Sequence, residues 1–388
     1  VQKITRYIFI AIILSSIFYA YYSATLFFVF RVLSFVSVFA VYFLIALSFS
    51  FSSNKKTKNR FSKNLLLFYL ILISLILIFS IRLNEKDLIT LFFHPYSFLA
   101  FFIGIVAFLV NKKALQFIKL VSNYSLIVVP LLTAVDLFLL NSPVILVNCY
   151  SLILYNCIVS KTRKIRLISG VLLLGCIPIF AIYDYRSGIL IISLLFLGFL
   201  MVKLFKFVLN LVIRYLFLIT SLGLVYFLFF NFTEIFEFLS SQLAIKNVNN
   251  IDSRTFLFVD FFTDFKVEDF YTGRGFLGTY FSPYFQEWQG DFGDSFNRFT
   301  IEIGFLQMLL KGGFVLVITT IVIFIRAIYL GFIRSNPGNI NFMLSVWLLI
   351  EFTMLSIENV PCFNIHFLLI WVVIGKMYLM KPRFKRLN

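Results

Sequence analysis

The chain is a succession of apolar runs, each long enough to cross a bilayer, joined by short polar connections. The runs lie near residues 7–23, 30–52, 65–82, 88–110, 119–140, 144–160, 167–184, 188–206, 210–231, 313–334, 340–358 and 362–380. A helix needs ~20 mostly apolar residues to span the hydrocarbon core. In that medium each backbone amide must find its partner within the segment. The pattern therefore predicts an all-α polytopic membrane protein of about twelve transmembrane helices. With 61% hydrophobic and 13% charged residues, an assembly of water-soluble domains is excluded.

The formal charge of +17 is no sign of nucleic-acid binding, because the bases sit in short clusters between apolar runs. Lys55, Lys56, Lys58, Arg60 and Lys63 form one cluster, Lys112 and Lys113 the next, then Lys161, Arg163, Lys164 and Arg166, then Lys203, Lys206 and Arg214. Arg326, Arg334 and the tail Lys381, Arg383, Lys385 and Arg386 continue the series at every second connection. By the positive-inside rule this alternation places both termini on the cytoplasmic side. The first apolar run has no small-residue cleavage site behind it and is followed at once by another, so it is expected to be a span and not a removed signal. Arg31 makes the doublet 7–52 the least regular part of the pattern.

One polar interruption, residues 232–300, faces the other way. It holds ten of the 17 acids but only five of the 34 bases, a net charge of −5. The expected organisation is nine spans in 1–231, a large outer loop with short helices in 232–312, and three spans with a basic tail in 313–388. Within the loop, Thr255–Phe262 reads as a helix capped by Asp252 or Ser253. Ser295–Leu310 reads as a second, amphipathic helix, ended by Lys311-Gly312-Gly313. Cys149, Cys157, Cys176 and Cys362 lie in or beside apolar runs and read as inert thiols. His94 and His366 are too few and too separated to suggest a metal site. There is no phosphate-binding GxxxxGK[ST] loop and no DxD pair, so neither ATP nor a metal-held nucleotide sugar is expected.

Three arginines stand out. Arg186 lies in Asp184-Tyr185-Arg186-Ser187-Gly188, a tight outward connection where no topology anchor is needed. Arg254 and Arg274 sit in an otherwise acidic loop, Arg274 between Gly273 and Gly275. Two readings stay open for the loop pair. Each forms a surface salt bridge with a neighbour such as Asp252 or Asp269, worth ~0–1 kcal/mol, or they converge with Arg186 on a phosphate, for which a guanidinium fork is suited. Glycines beside an arginine also permit close backbone approach to a ligand. Asp294, Glu302 and Glu358 are candidates for a general base or for orienting the arginines. Asp136 and Glu351 fall inside apolar runs, where acids are costly and usually paired or cavity-facing.

Taken together, the Tyr185-Arg186-Ser187-Gly188 junction, the loop elements Ser253-Arg254-Thr255, Gly273-Arg274-Gly275 and Asp294-Ser295-Phe296-Asn297, then Glu302-Ile303-Gly304 and Gly312-Gly313, resemble the Wzy O-antigen polymerases. These are relatives of the O-antigen ligases and share a GT-C-like membrane glycosyltransferase fold. The resemblance implies polymerisation of undecaprenyl-pyrophosphate-linked oligosaccharides on the periplasmic face of the bacterial inner membrane, without metal or cofactor. It also implies a chain-length regulator as a possible protein partner, and no nucleic acid. Carried over residue by residue, it gives Arg186, Arg254 and Arg274 the pyrophosphate. It puts Asp294 about where the ligase branch has a loop histidine, and makes Tyr185, Ser187, Gly273, Gly275, Asn297, Glu302 and Glu358 substrate contacts. A ligase of the same fold, or a lipid-linked oligosaccharide flippase, are the alternatives.

Overall fold

A computed structural model describes residues 2–25, 28–50, 60–81, 84–183, 185–204, 255–282, 297–336, 338–356 and 360–380. The expected span at 210–231 lies outside these residues, as do Arg254, Asp294, Glu358 and the expected cap Asp252–Ser253. The first half contains α1 (Gln2–Thr25), α2 (Phe28–Ser50), α3 (Arg60–Ser80), α4 (Glu85–Phe93), α5 (Phe98–Phe102), α6 (Ile105–Leu109) and α7 (Lys112–Leu140). After these come α8 (Val144–Val159), α9 (Arg163–Ile182) and α10 (Arg186–Leu204). The loop holds α11 (Thr255–Asp264), α12 (Asp269–Thr272) and the ribbon β1 (Tyr280–Phe281) with β2 (Asn297–Arg298). The chain returns through α13 (Gly304–Arg334), α14 (Ile340–Met354) and α15 (Ile365–Tyr378).

The protein is an all-α polytopic membrane protein. Among the described residues six helices are long and apolar enough to span, namely α1, α2, α3, α7, α9 and α13, and several shorter apolar helices accompany them. Burial divides the two kinds. Helices α8 and α15 are apolar around their whole circumference and almost wholly buried, which places them at the centre of the bundle. The long helices α3, α7 and α9 expose large apolar faces, among them Phe79, Phe138, Leu131 and Ile182. In a bilayer such faces meet lipid. Some hydroxyls inside the spans bond backward to carbonyls one turn earlier, as Ser37 does to Leu33 (2.8 Å) and Thr133 to Val129 (2.7 Å), and these are satisfied without water. Asp136 is paired as expected of a membrane acid: it accepts from the Tyr21 hydroxyl at 2.7 Å and from the backbone N–H of Ile145 at 2.8 Å. It thereby ties α1 and α7 to the first turn of α8.

Two expected helices differ. The run 88–110 is not one span but the three pieces α4, α5 and α6, broken at His94-Pro95-Tyr96-Ser97 and at Ile103-Gly104. Proline disfavours helix at the residue before it and lacks an N–H of its own. Such a break is tolerated at membrane depth only where protein covers it. Here the Pro95 carbonyl accepts from the Phe363 N–H at 2.8 Å, and Ser97 is fully buried. The second difference is Ser295–Leu310: Asn297 and Arg298 are extended and pair with Phe281 and Tyr280, and the helix begins only at Gly304. The expected break at Gly312-Gly313 is present as a kink within α13, with Gly313 at φ 62°.

Candidate functional site

The loop segment is fastened to the bundle by backbone contacts that only glycine allows. Gly273 and Gly275 have φ of 69° and 76°, a left-handed region disfavoured for side-chain-bearing residues. A Cβ on Gly273 would stand 2.6 Å from the Gly312 nitrogen, and one on Gly313 would stand 2.3 Å from the Tyr271 carbonyl oxygen. The Arg274 N–H donates to the Leu310 carbonyl at 2.7 Å. The close backbone approach expected around Gly273-Arg274-Gly275 is therefore made to the kinked helix α13. Phe276 then inserts between the rings of Phe98 and Phe101, its N–H donating to Ser80 Oγ (2.8 Å) and its carbonyl accepting from Ser97 Oγ (3.2 Å).

Arg274 itself is a strut of this segment. Its Nε donates to Asp269 Oδ2 at 2.8 Å and its Nη1 to both Asp264 Oδ2 and the Thr279 carbonyl, while Nη2 reaches the Asp264 carbonyl. The ring of Phe265 lies under the guanidinium, 5.3 Å away. Burial works against the charge, but the bonds to Asp264 and Asp269 outweigh it and hold the group above its ordinary pKa. Four of the five N–H donors are thus used, and two carboxylates against one guanidinium leave a local excess of negative charge. Of the two readings open for Arg274, the geometry favours the ion pair.

Arg186 is placed differently. It is the first residue of α10 and its side chain is exposed. Its setting follows from Gly188, where a Cβ would meet the Tyr185 ring at 2.5 Å. The ring of Tyr185 folds back over that glycine and packs edge-on against Phe180 and Tyr150, at 4.9 and 6.2 Å. Tyr185 thus turns inward, Ser187 is buried, and Arg186 alone of the three projects outward. A helix N-terminus with an arginine combines a partial positive charge with a full one, which suits an anion. Of the other expected contacts, Asn297 is exposed on β2, and Glu302 accepts from Arg298 at 3.0 Å.

Further polar groups converge where the loop segment meets the bundle. Lys311 is fully buried, donates to the Gly278 carbonyl at 2.7 Å and sits 3.5 Å over the Phe299 ring. Phe299 packs on His94 at 4.9 Å. His94 in turn lines a cavity of about 290 Å³ with Tyr19, Tyr22, Arg31, Ser34 and Phe35. Arg31, the irregularity of the first doublet, lies 5.7 and 5.6 Å from the Tyr22 and Phe35 rings. Deeper in, Glu351 is fully buried and paired with His366 (Oε2 to Nε2, 2.9 Å) and with the Trp347 indole N–H (2.6 Å). A membrane acid was the signal for Glu351. Nothing in the spacing marked His366, fifteen residues later, as its partner.

No family model, no curated protein and no solved structure matches the chain. The functional reading therefore rests on these residues and their surroundings.

Proposed function

We propose that the chain is an outward-acting glycan polymerase of the Wzy type, with about twelve spans, a GT-C-like arrangement and both termini in the cytoplasm. It would extend undecaprenyl-pyrophosphate-linked repeat units at the periplasmic face of the inner membrane, alongside a chain-length regulator. The observation that carries the reading is Arg186, exposed on the first turn of α10 and fixed there by the Tyr185 ring against Gly188. A hydroxyl of the incoming repeat attacks the anomeric carbon of the growing chain, and the bond to the lipid pyrophosphate breaks. Negative charge then grows on the leaving oxygens, where a guanidinium held in advance at a helix N-terminus stabilises it. Arg254 and Asp294 keep the roles that the resemblance implies. Arg274 is reassigned to holding the loop segment in place.

The test is complementation of a deletion strain with Arg186→Lys and Arg186→Ala, scored by the ladder of polymer lengths at equal membrane levels. Loss of one such donor costs ~100- to 1,000-fold in rate, so the ladder should collapse to core carrying a single repeat. A normal ladder from Arg186→Ala would remove the reading. The buried Glu351–His366 pair favours one other reading, a proton-coupled flippase of lipid-linked glycans, since buried acid–histidine pairs mark proton paths in transporters. A flippase-null strain leaves the core bare, without the single repeat.

A further inference from the structure

We propose that the cleft between α1, α2 and α4 is a second lipid-diphosphate seat, which holds the headgroup of the incoming repeat while Arg186 holds that of the growing chain. This rests on the polymerase reading, in which two lipid-linked substrates are bound at once.

The sequence sets a cation where lipid is expected. Arg31 is the fourth residue of α2, and the exposed apolar Phe28 and Val32 stand beside it along the helix. A charge in such a setting is costly and is usually paired. Among the described residues no carboxylate is ion-paired with Arg31; the Tyr22 and Phe35 rings flank its guanidinium at 5.7 and 5.6 Å. Contacts with ring faces leave the N–H fork for an acceptor in the guanidinium plane, and a phosphate fits that fork with two oxygens. The basic clusters put this end of α2 outside, where no topology anchor is needed.

The cleft beside Arg31 has a volume of about 290 Å³ and is lined by Tyr19, Tyr22, Ser34, Thr90 and His94. Four of these carry hydroxyls, which both donate and accept. The volume is at the lower end of the ~300–1,000 Å³ typical of small-molecule sites, so the cleft takes a headgroup and leaves glycan and lipid chain outside. The path for the chain is apolar. Phe93 packs on Phe35 and Phe39 at 4.7 and 4.9 Å, and Val36, Phe39 and Phe43 are exposed along the span from there.

His94 fixes the place of the cleft in the molecule. Its ring meets Phe299 of the loop segment at 4.9 Å, and its Nδ1 accepts from the Tyr96 N–H at 3.4 Å. The next residue, Pro95, accepts from the Phe363 N–H just before α15; within the first turn of that helix His366 stacks on Tyr150 at 5.7 Å, and Tyr150 meets Tyr185 edge-on at 6.2 Å. The start of α15 thus separates the cleft from the α10 N-terminus, with Arg31 on one side and Arg186 on the other. The incoming repeat keeps its diphosphate throughout the transfer, so its seat supplies binding that is equal in ground and transition states. Arg31 is accordingly a binding residue and not a catalytic one.

The experiment is native mass spectrometry of the full chain in detergent, titrated with undecaprenyl pyrophosphate, with phosphatidylglycerol as competitor. Arg31→Ala should weaken one binding event about 10- to 100-fold, the worth of hydrogen bonds to a charged group, and Arg186→Ala should weaken the other. Arg31 is exposed, so both of its variants should keep the wild-type thermal midpoint. Arg31→Lys should behave as Arg31→Ala, because an ammonium lacks the fork; an arginine that only snorkels to the surface would be replaced by lysine without loss. Undiminished binding by Arg31→Ala, rescue by lysine, or displacement of the probe by equimolar phosphatidylglycerol would each overturn the seat and leave the polymerase reading standing. Weakened binding in Arg31→Ala with none in Arg186→Ala would keep the lipid-diphosphate seat and take the pyrophosphate from Arg186, and with it the polymerase reading.

Discussion

Gly273 and Gly313 lie backbone against backbone, so close that a Cβ on Gly273 would stand 2.7 Å from the Gly313 nitrogen. Both have positive φ, 69° and 62°. The contact joins the loop segment to the kink of α13, and through Arg274 and Phe276 it sets where the rest of the loop sits.

Alanine at position 313 should therefore release the loop segment from the bundle. Left-handed strain of about 1–2 kcal/mol adds to an overlap of about 1–3 kcal/mol with the Tyr271 carbonyl. Gly338 is the control, with φ 79° but nothing within 4 Å of its Cβ position. Limited proteolysis in detergent should show cleavage within 255–282 for Gly313→Ala and an uncut segment for Gly338→Ala. Equal resistance of the two would mean that the contact does not hold the segment.

The natural cysteines are all buried, so an introduced one reports topology cleanly. Val267, 74% exposed in the loop segment, should be labelled as cysteine by a membrane-impermeant reagent in intact spheroplasts. Cysteine at the exposed Lys161, before α9, should be labelled only after lysis. The reverse pattern would invert the orientation given by the basic clusters.

The helices were legible because the bilayer imposes one simple demand, length and apolarity, and α1, α2, α3, α7, α9 and α13 meet it. The break of the run 88–110 was masked by that same signal. Pro95 is a breaker, but the stretches 91–93 and 98–101 on either side of its turn are apolar and read as span whether the backbone between them is helical or bent. The loop was harder still. Arg274 finds Asp264 and Asp269, ten and five residues before it, by a turn through α12 that carries no periodic pattern. His366 meets Glu351 only because α14 and α15 pack side by side. Pairings of this kind live in tertiary contacts, where sequence spacing is silent.

Lys311 offers a test in which two magnitudes oppose. Methionine there would leave the Gly278 carbonyl without its 2.7 Å donor, a cost of about 1–3 kcal/mol. It would also remove a fully buried ammonium, whose desolvation costs several kcal/mol. The second effect should win, so Lys311→Met should have an unchanged or higher thermal midpoint in detergent. A clear drop would show that the contact with Phe299 and Gly278 repays the burial.

Arg274 separates an ion-pair strut from a phosphate ligand. If it is a strut, Arg274→Lys loses the fork that serves Asp264 and Asp269 together, because lysine offers one compact ammonium in place of a planar set of donors. Hydrogen bonds to charged partners are worth about 1.5–3 kcal/mol, and the pair is partly exposed, so a loss of about 2 kcal/mol is expected. Asp264→Asn should cost a similar amount, and the double variant little more than either single one, which is the signature of coupled residues. The measurement is thermal stability of the four proteins, beside their polymer ladders. If Arg274 instead held pyrophosphate, removing a competing carboxylate would strengthen anion binding, and Asp264→Asn or Asp269→Asn would lower the substrate concentration needed for half-maximal rate. The strut predicts a fall in stability from Asp264→Asn with no such gain, and activity lost only as far as the loop segment comes away from α13.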